Sequence, residues 1–195
     1  MRGWLRYTLC VVTGLVVGGG AAIYQVRSAD LGRQVINGPW STNTDNGTAD
    51  ASALARARVA LFGLLALPAK EAMYYQARTD SSGAALDGRC TYVVRGTAFD
   101  ARWWSLTLYQ GEGWLVPNAA NIYSAGSGSL IMMESKPAQF AIRVGPDIPA
   151  ETNGFIPTGG VSAFDLTLRV YHPQGALLDD PARARLPSIT KERCA

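Results

Sequence analysis

The chain has 195 residues, 48% of them apolar and 17% charged, a composition that supports an ordinary folded core and excludes a disordered chain. Its net charge is +3, but Arg2, Arg6 and Arg27 all flank the first apolar stretch, and beyond Val26 and Arg27 15 Lys+Arg balance 15 Asp+Glu. A neutral remainder lacks the basic face that neutralises phosphates, so the electrostatic case for nucleic-acid binding falls away.

The first predicted element is a membrane helix. Tyr7 to Val26 is an uncharged run that would span ~30 Å as a helix, the thickness of a hydrocarbon core. Tyr7 and Tyr24 stand near its ends, where interfacial aromatics are favoured, and Arg2 and Arg6 precede it. The positive-inside tendency then leaves residues 1–6 in the cytoplasm, makes 7–26 an uncleaved anchor and exports the rest. A cleaved signal peptide is the rival reading, but Gly20-Ala21-Ala22 matches a cleavage site poorly. Cys10 lacks the preceding residues of a lipoprotein signal, and Gly14 to Gly18 is a single small-xxx-small match, expected by chance in such a segment.

Residues 27–50 read as a linker, rich in turn formers from Asn37 to Asp50, with Trp40 as the one obvious anchor. Asp50 is placed to cap a helix over Ala51–Leu67, with Leu54, Leu61, Leu64 and Leu65 at helical spacing and Pro68 as its stop. From there the period becomes two. Strands are predicted at Tyr74–Arg78, Cys90–Arg95, Arg102–Gln110, Ser129–Glu134, Gln139–Val144 and Val161–Tyr171, separated by Gly, Pro and Asn. The fold class is therefore mostly β: an antiparallel, jelly-roll-like β-sandwich over 51–195 with one amphipathic helix at its start. Cys90 and Cys194 both fall in the exported part, where an oxidising compartment makes their pairing the expectation; Cys10 stays unpaired.

Candidate chemistry is sparse. His172 is the sole histidine, and the cysteines have no zinc spacing, so no metal or other cofactor is expected. Asp80, Asp100, Glu112 and Glu134 are possible glycosidase carboxylates by residue type alone. The densest constellation is Arg102 to Tyr109. In a strand, Trp104, Leu106 and Leu108 share one face, which must be core, while Trp103, Ser105, Thr107 and Tyr109 share the other. That second face could stack on a sugar or line a cleft, together with Asn118 and Tyr123. The plainer expectation is a central strand buried on both sides.

Further pieces run through the chain: Gly38-Pro39-Trp40, Glu71-Ala72-Met73-Tyr74-Tyr75, Leu86-Asp87-Gly88, Trp104-Ser105-Leu106-Thr107-Leu108-Tyr109, Pro117-Asn118, Leu168-Arg169-Val170-Tyr171-His172-Pro173 and Leu186-Pro187-Ser188-Ile189. With these the sequence resembles the domain-of-unknown-function 1214 family of bacterial envelope proteins, from about Gly38 to Cys194. It departs from the family at Asn153-Gly154-Phe155-Ile156-Pro157, where a Trp is common. The resemblance implies a jelly-roll-like domain of unsettled function and supplies no catalytic residues. The expectation is a single-pass protein of the bacterial inner membrane with its domain on the periplasmic side. The first reading of its role is a non-catalytic structural or protein-interaction module. The alternatives are a glycan or small-ligand binding module and an enzyme acting on envelope polysaccharide.

Overall fold

The computed structural model describes residues 2–28, 34–45, 47–49, 51–61, 67–111, 113–130 and 138–194. Helix α1 spans Arg2–Ser28. Its stretch Gly3–Val26 has a mean hydropathy of 1.8 and is long and apolar enough to cross a membrane. Its apolar side chains, among them Trp4, Leu15, Val16 and Ile23, are exposed and make no part of the domain core.

Part of the expected linker is structured. Gln34–Asn37 (β1) and Trp40–Asn43 (β2) form an antiparallel hairpin turning at Gly38, whose φ of 60° favours glycine. Trp40 is the anchor the sequence suggested: it is 1% exposed and its indole N–H donates to the Pro187 carbonyl at 2.7 Å. A satisfied indole can be buried without the cost of an orphaned donor. Asn37 ties down the same C-terminal stretch, donating to the carbonyls of Pro181 and Ala184.

The amphipathic helix, α2, covers Ala53–Leu61. Its described cap is Ser52, whose Oγ accepts from the Ala55 N–H at 3.1 Å. Asp50 and residues 62–66, which include Leu64 and Leu65, lie outside the described residues. Strands follow at Ala72–Ala77 (β3), Cys90–Thr97 (β4), Ala101–Gln110 (β5), Trp114–Leu115 (β6), Ser124–Gly126 (β7), Gln139–Gly145 (β8), Phe155–Pro157 (β9) and Asp165–Pro173 (β10). A short helix α3, Ala176–Asp179, and strand β11, Ser188–Cys194, complete the chain. Where a strand was expected at Ser129–Glu134, Ser129 lies in a turn and 131–134 are outside the described residues; β7 lies earlier.

These strands make two sheets. The larger runs β1-β2-β3-β10-β5-β6, with β7 also on β5; the smaller runs β11-β4-β8-β9. All pairs are antiparallel except β8 with β9, which is parallel. The core lies between the two sheets. It takes Met73 and Tyr75 from β3, Trp104, Leu106 and Leu108 from β5, and Leu166, Leu168 and Val170 from β10. The smaller sheet supplies Tyr92, Val94, Phe140, Ile142, Val144 and Ile189. Trp104 stacks on Phe140 with centroids 4.4 Å apart and meets Phe99 edge-on at 5.2 Å, closing the sandwich at one end. At Gly126 any Cβ would collide with the Trp104 carbonyl, so β7 can close on β5 only as glycine.

Cys90 opens β4 and Cys194 ends β11; the register sets them directly opposite, and they form a disulfide across 104 residues of sequence. Cys10 is a free, exposed thiol on α1.

Candidate ligand face

The alternation of β5 decides what lies outside the larger sheet. Trp104, Leu106 and Leu108 point inward, so Trp103, Ser105, Thr107 and Tyr109 point outward. Antiparallel register sets the partners of these four on β10: Tyr171 opposite Trp103, Arg169 opposite Ser105, Thr167 opposite Thr107 and Asp165 opposite Tyr109. On the far side of β10, Tyr74 of β3 is opposite Arg169 and Gln76 is opposite Thr167. The result is a band of aromatic and hydrogen-bonding side chains across three strands.

Arg169 organises it. Nη1 donates to Thr107 Oγ1 at 3.1 Å and Nη2 to the Tyr109 hydroxyl at 2.6 Å. The guanidinium lies over the Tyr109 ring, 5.3 Å from its centroid, and 6.0 Å from that of Tyr74. Among the described residues no carboxylate forms an ion pair with it. Burial, and then the neighbouring Tyr171, raise the Tyr74 hydroxyl above its ordinary range, against the lowering pull of Arg169 and of the Leu67 backbone. That backbone contact sets Leu67 on the Tyr74 side of the band.

Two-sided burial was expected for this strand, and the face only partly obeys. Ser105, Thr107 and Thr167 are buried, but Trp103 is 43% exposed and Tyr109 is half-buried. Thr107 is covered in part by Arg169, which donates to its hydroxyl. Trp103 stands at the end of the band, where its described ring contact is Tyr171, 5.3 Å away and tilted by 55°. Asp165, at the opposite end, is pushed up to about 6 by burial, partly offset by Arg78.

The other sequence candidates fall elsewhere. The Asn118 side chain is used inside its own loop, donating to the Val116 and Ile122 carbonyls and accepting from the Ile122 N–H. Tyr123 is half-buried, its hydroxyl 3.5 Å from Asn121 Oδ1. Asp80 is a turn organiser: its Oδ1 accepts from Ser82 N–H, Ser82 hydroxyl and Ala84 N–H. Burial would raise its carboxyl, but those bonds and Lys191 outweigh it and hold it below the ordinary value. Asp100 is exposed, and Glu112 and Glu134 lie outside the described residues. His172 sits at φ 47°, half-exposed, with Nδ1 3.6 Å from Glu71 Oε2.

Sequence reasoning named Trp103, Ser105 and Tyr109 but missed Arg169, Tyr171 and Tyr74. The signal was present: Arg169 and Tyr171 alternate with Leu168 and Val170 as Ser105 and Thr107 alternate with core residues. Only the pairing of β5 with β10 shows that the two pieces share one face. A shallow depression of about 140 Å³ on the other sheet, lined by Thr91, Arg143, Glu192 and Arg193, has its cations already matched. Arg143 is paired with Glu192 at 3.3 Å and Arg193 with Asp147 at 3.2 Å.

No curated protein matches the chain. Among solved structures, the VPA0106 protein from Vibrio parahaemolyticus is similar with a TM-score of 0.60 at 23% identity, over 92% of this chain and 44% of its own. An uncharacterized protein from Burkholderia cenocepacia is similar over 64% of this chain and 30% of its own, at 14% identity and a TM-score of 0.42. The chain thus spans less than half the length of either. The sequence pattern described as "Protein of unknown function (DUF1214)" matches residues 71–175, more than half of the chain and all of the strands that build the Arg169 face. The chain belongs to the DUF1214 family.

Proposed function

We propose that this protein is a membrane-tethered, non-catalytic binding module. Residues 1–6 stay in the cytoplasm, α1 anchors the chain in the inner membrane of a bacterium, and the disulfide-closed sandwich stands on the periplasmic side. There it holds a ligand on the outer face of its larger sheet. The observation that carries this reading is Arg169, a cation fixed by Thr107 and Tyr109 between two tyrosine rings, on the same sheet face as a Trp103 that is 43% exposed. Open large aromatics and arginines are enriched on recognition surfaces. The glycan or small-ligand binding module, second among the sequence-based readings, therefore moves ahead of the structural or protein-interaction module.

Oxidative footprinting tests it. Trp103 and Tyr171 should label readily in the full chain purified in detergent and be protected in intact envelopes. Equal labelling in both settings overturns the reading. For the anchor, a reporter fused after Ala195 should be active only outside the cytoplasm; activity of a cytoplasm-only reporter there overturns the topology.

A second reading has its own observation. Trp114 and Leu115 of the short edge strand β6 are 71% and 44% exposed, an apolar pair that suits a protein partner. Protection confined to Trp114 in the same footprint would favour it.

A further inference from the structure

We infer that the outer face of the larger sheet binds an acidic oligosaccharide, one sugar ring stacking on Trp103 and a uronate carboxylate engaging Arg169. The inference rests on the binding-module reading and adds the ligand class.

Charge selects the acid. The Arg169 guanidinium has five N–H groups, and among the described residues two are used, on Thr107 and Tyr109. Both acceptors are neutral hydroxyls, and no described carboxylate pairs with the cation. Bonds to Thr107 and Tyr109 fix the plane of the fork without cancelling its charge, which preorganises it for a carboxylate.

The aromatic rings select the sugar. Trp103 and Tyr171 form a tilted pair at one end of the band, and the apolar C–H face of a pyranose ring packs on such a surface. The indole is the most exposed ring of the face, while the Tyr109 and Tyr74 rings are already engaged by Arg169. Length favours an oligomer. From Trp103 to Tyr109 is six residues of strand, ~20 Å at ~3.4 Å per residue, longer than a single sugar. Arg169 is opposite Ser105 and leans toward Thr107 and Tyr109, so the carboxylate belongs to a ring next along from the one on Trp103.

Calorimetric titration of the full chain in detergent with tetragalacturonate and tetramannuronate, each beside its fully methyl-esterified form, tests this. At least one uronate should bind, and its ester should bind at least tenfold more weakly. Arg169→Lys keeps the charge but loses the fork, and should weaken uronate binding about tenfold to a hundredfold, the worth of a charge-assisted hydrogen bond. Trp103→Ala should weaken acid and ester alike. If Arg169→Lys fails to fold, the Trp103→Ala and ester comparisons decide. Binding of neither uronate, equal binding of acid and ester, or binding indifferent to both substitutions overturns the inference. If Trp103 and Tyr171 are nevertheless protected in envelopes, this ligand class alone falls and the binding-module reading stands.

Discussion

Trp103 and Trp104 are neighbours in the chain with opposite fates. Trp104 is 4% exposed, stacked on Phe140 between the sheets, whereas Trp103 is 43% exposed on the outer side of the same strand. The two faces of β5 and β10 differ in the same way throughout. Inside, Leu106, Leu108, Leu166, Leu168 and Val170 interdigitate with the smaller sheet and carry no polar atom. Outside, Arg169 donates to Thr107 and Tyr109, with Ser105 and Thr167 alongside. One face holds the fold by area removed from water, and the other carries the polar and charged groups.

The two tryptophans should respond most unequally to truncation. Trp104→Ala should cost ~3–5 kcal/mol in equilibrium unfolding, because it leaves a cavity against Phe140 and Phe99. Trp103→Ala should cost about 1 kcal/mol, roughly the worth of one aromatic pair with Tyr171. Equal costs would make the outer face part of the core after all.

The next effect lies in the smaller sheet. Replacing Cys90 and Cys194 together by serine should cost ~2–4 kcal/mol by releasing a long closed loop in the unfolded chain. The same measurement in reducing buffer should reproduce it for the wild type. No change on reduction would mean that the sandwich is held by its inner face alone.

The smallest effect belongs to Asp165. Its folded value is raised to about 6 from an ordinary 3.8, chiefly by burial and against the pull of Arg78. A raised acid favours the protonated folded state. Its contribution is therefore fully present below about 4 and is lost as pH rises through about 6. The loss should be on the order of 1 kcal/mol, and Asp165→Asn should flatten that part of the stability profile. A wild-type profile already flat between pH 4 and 6 would place Asp165 in water rather than in the band.

The inner face was legible in the sequence because apolar alternation in Trp104, Leu106 and Leu108 has a single reading. Trp40 was legible as an anchor because it stood alone among turn formers. The hairpin Gln34–Asn43 was not, since its short polar strands give no period strong enough to outweigh Asn, Gly and Pro. β11 was hidden for a different reason. It is an edge strand whose outward residues include Lys191, Glu192 and Arg193, the charges that keep an edge from pairing further. Arg169 was quoted only as part of a resemblance. Its chemistry comes from Thr107 and Tyr109, about 60 residues away in sequence, and only register brings them together.

The disulfide also fixes how the protein answers a pull. Traction between α1 and any point beyond Cys194 would run up the chain to Cys90 and cross directly to Cys194. The backbone of β5, β8, β9 and β10 lies inside that closed loop and bears no covalent tension. Load falls on the non-covalent seams outside the loop, those of β1, β2 and β3, the last of which joins β10, the strand that carries Arg169. The crosslink acts as a mechanical bypass, so under tension β3, with Tyr74, would leave the band before β5 and β10 were drawn out.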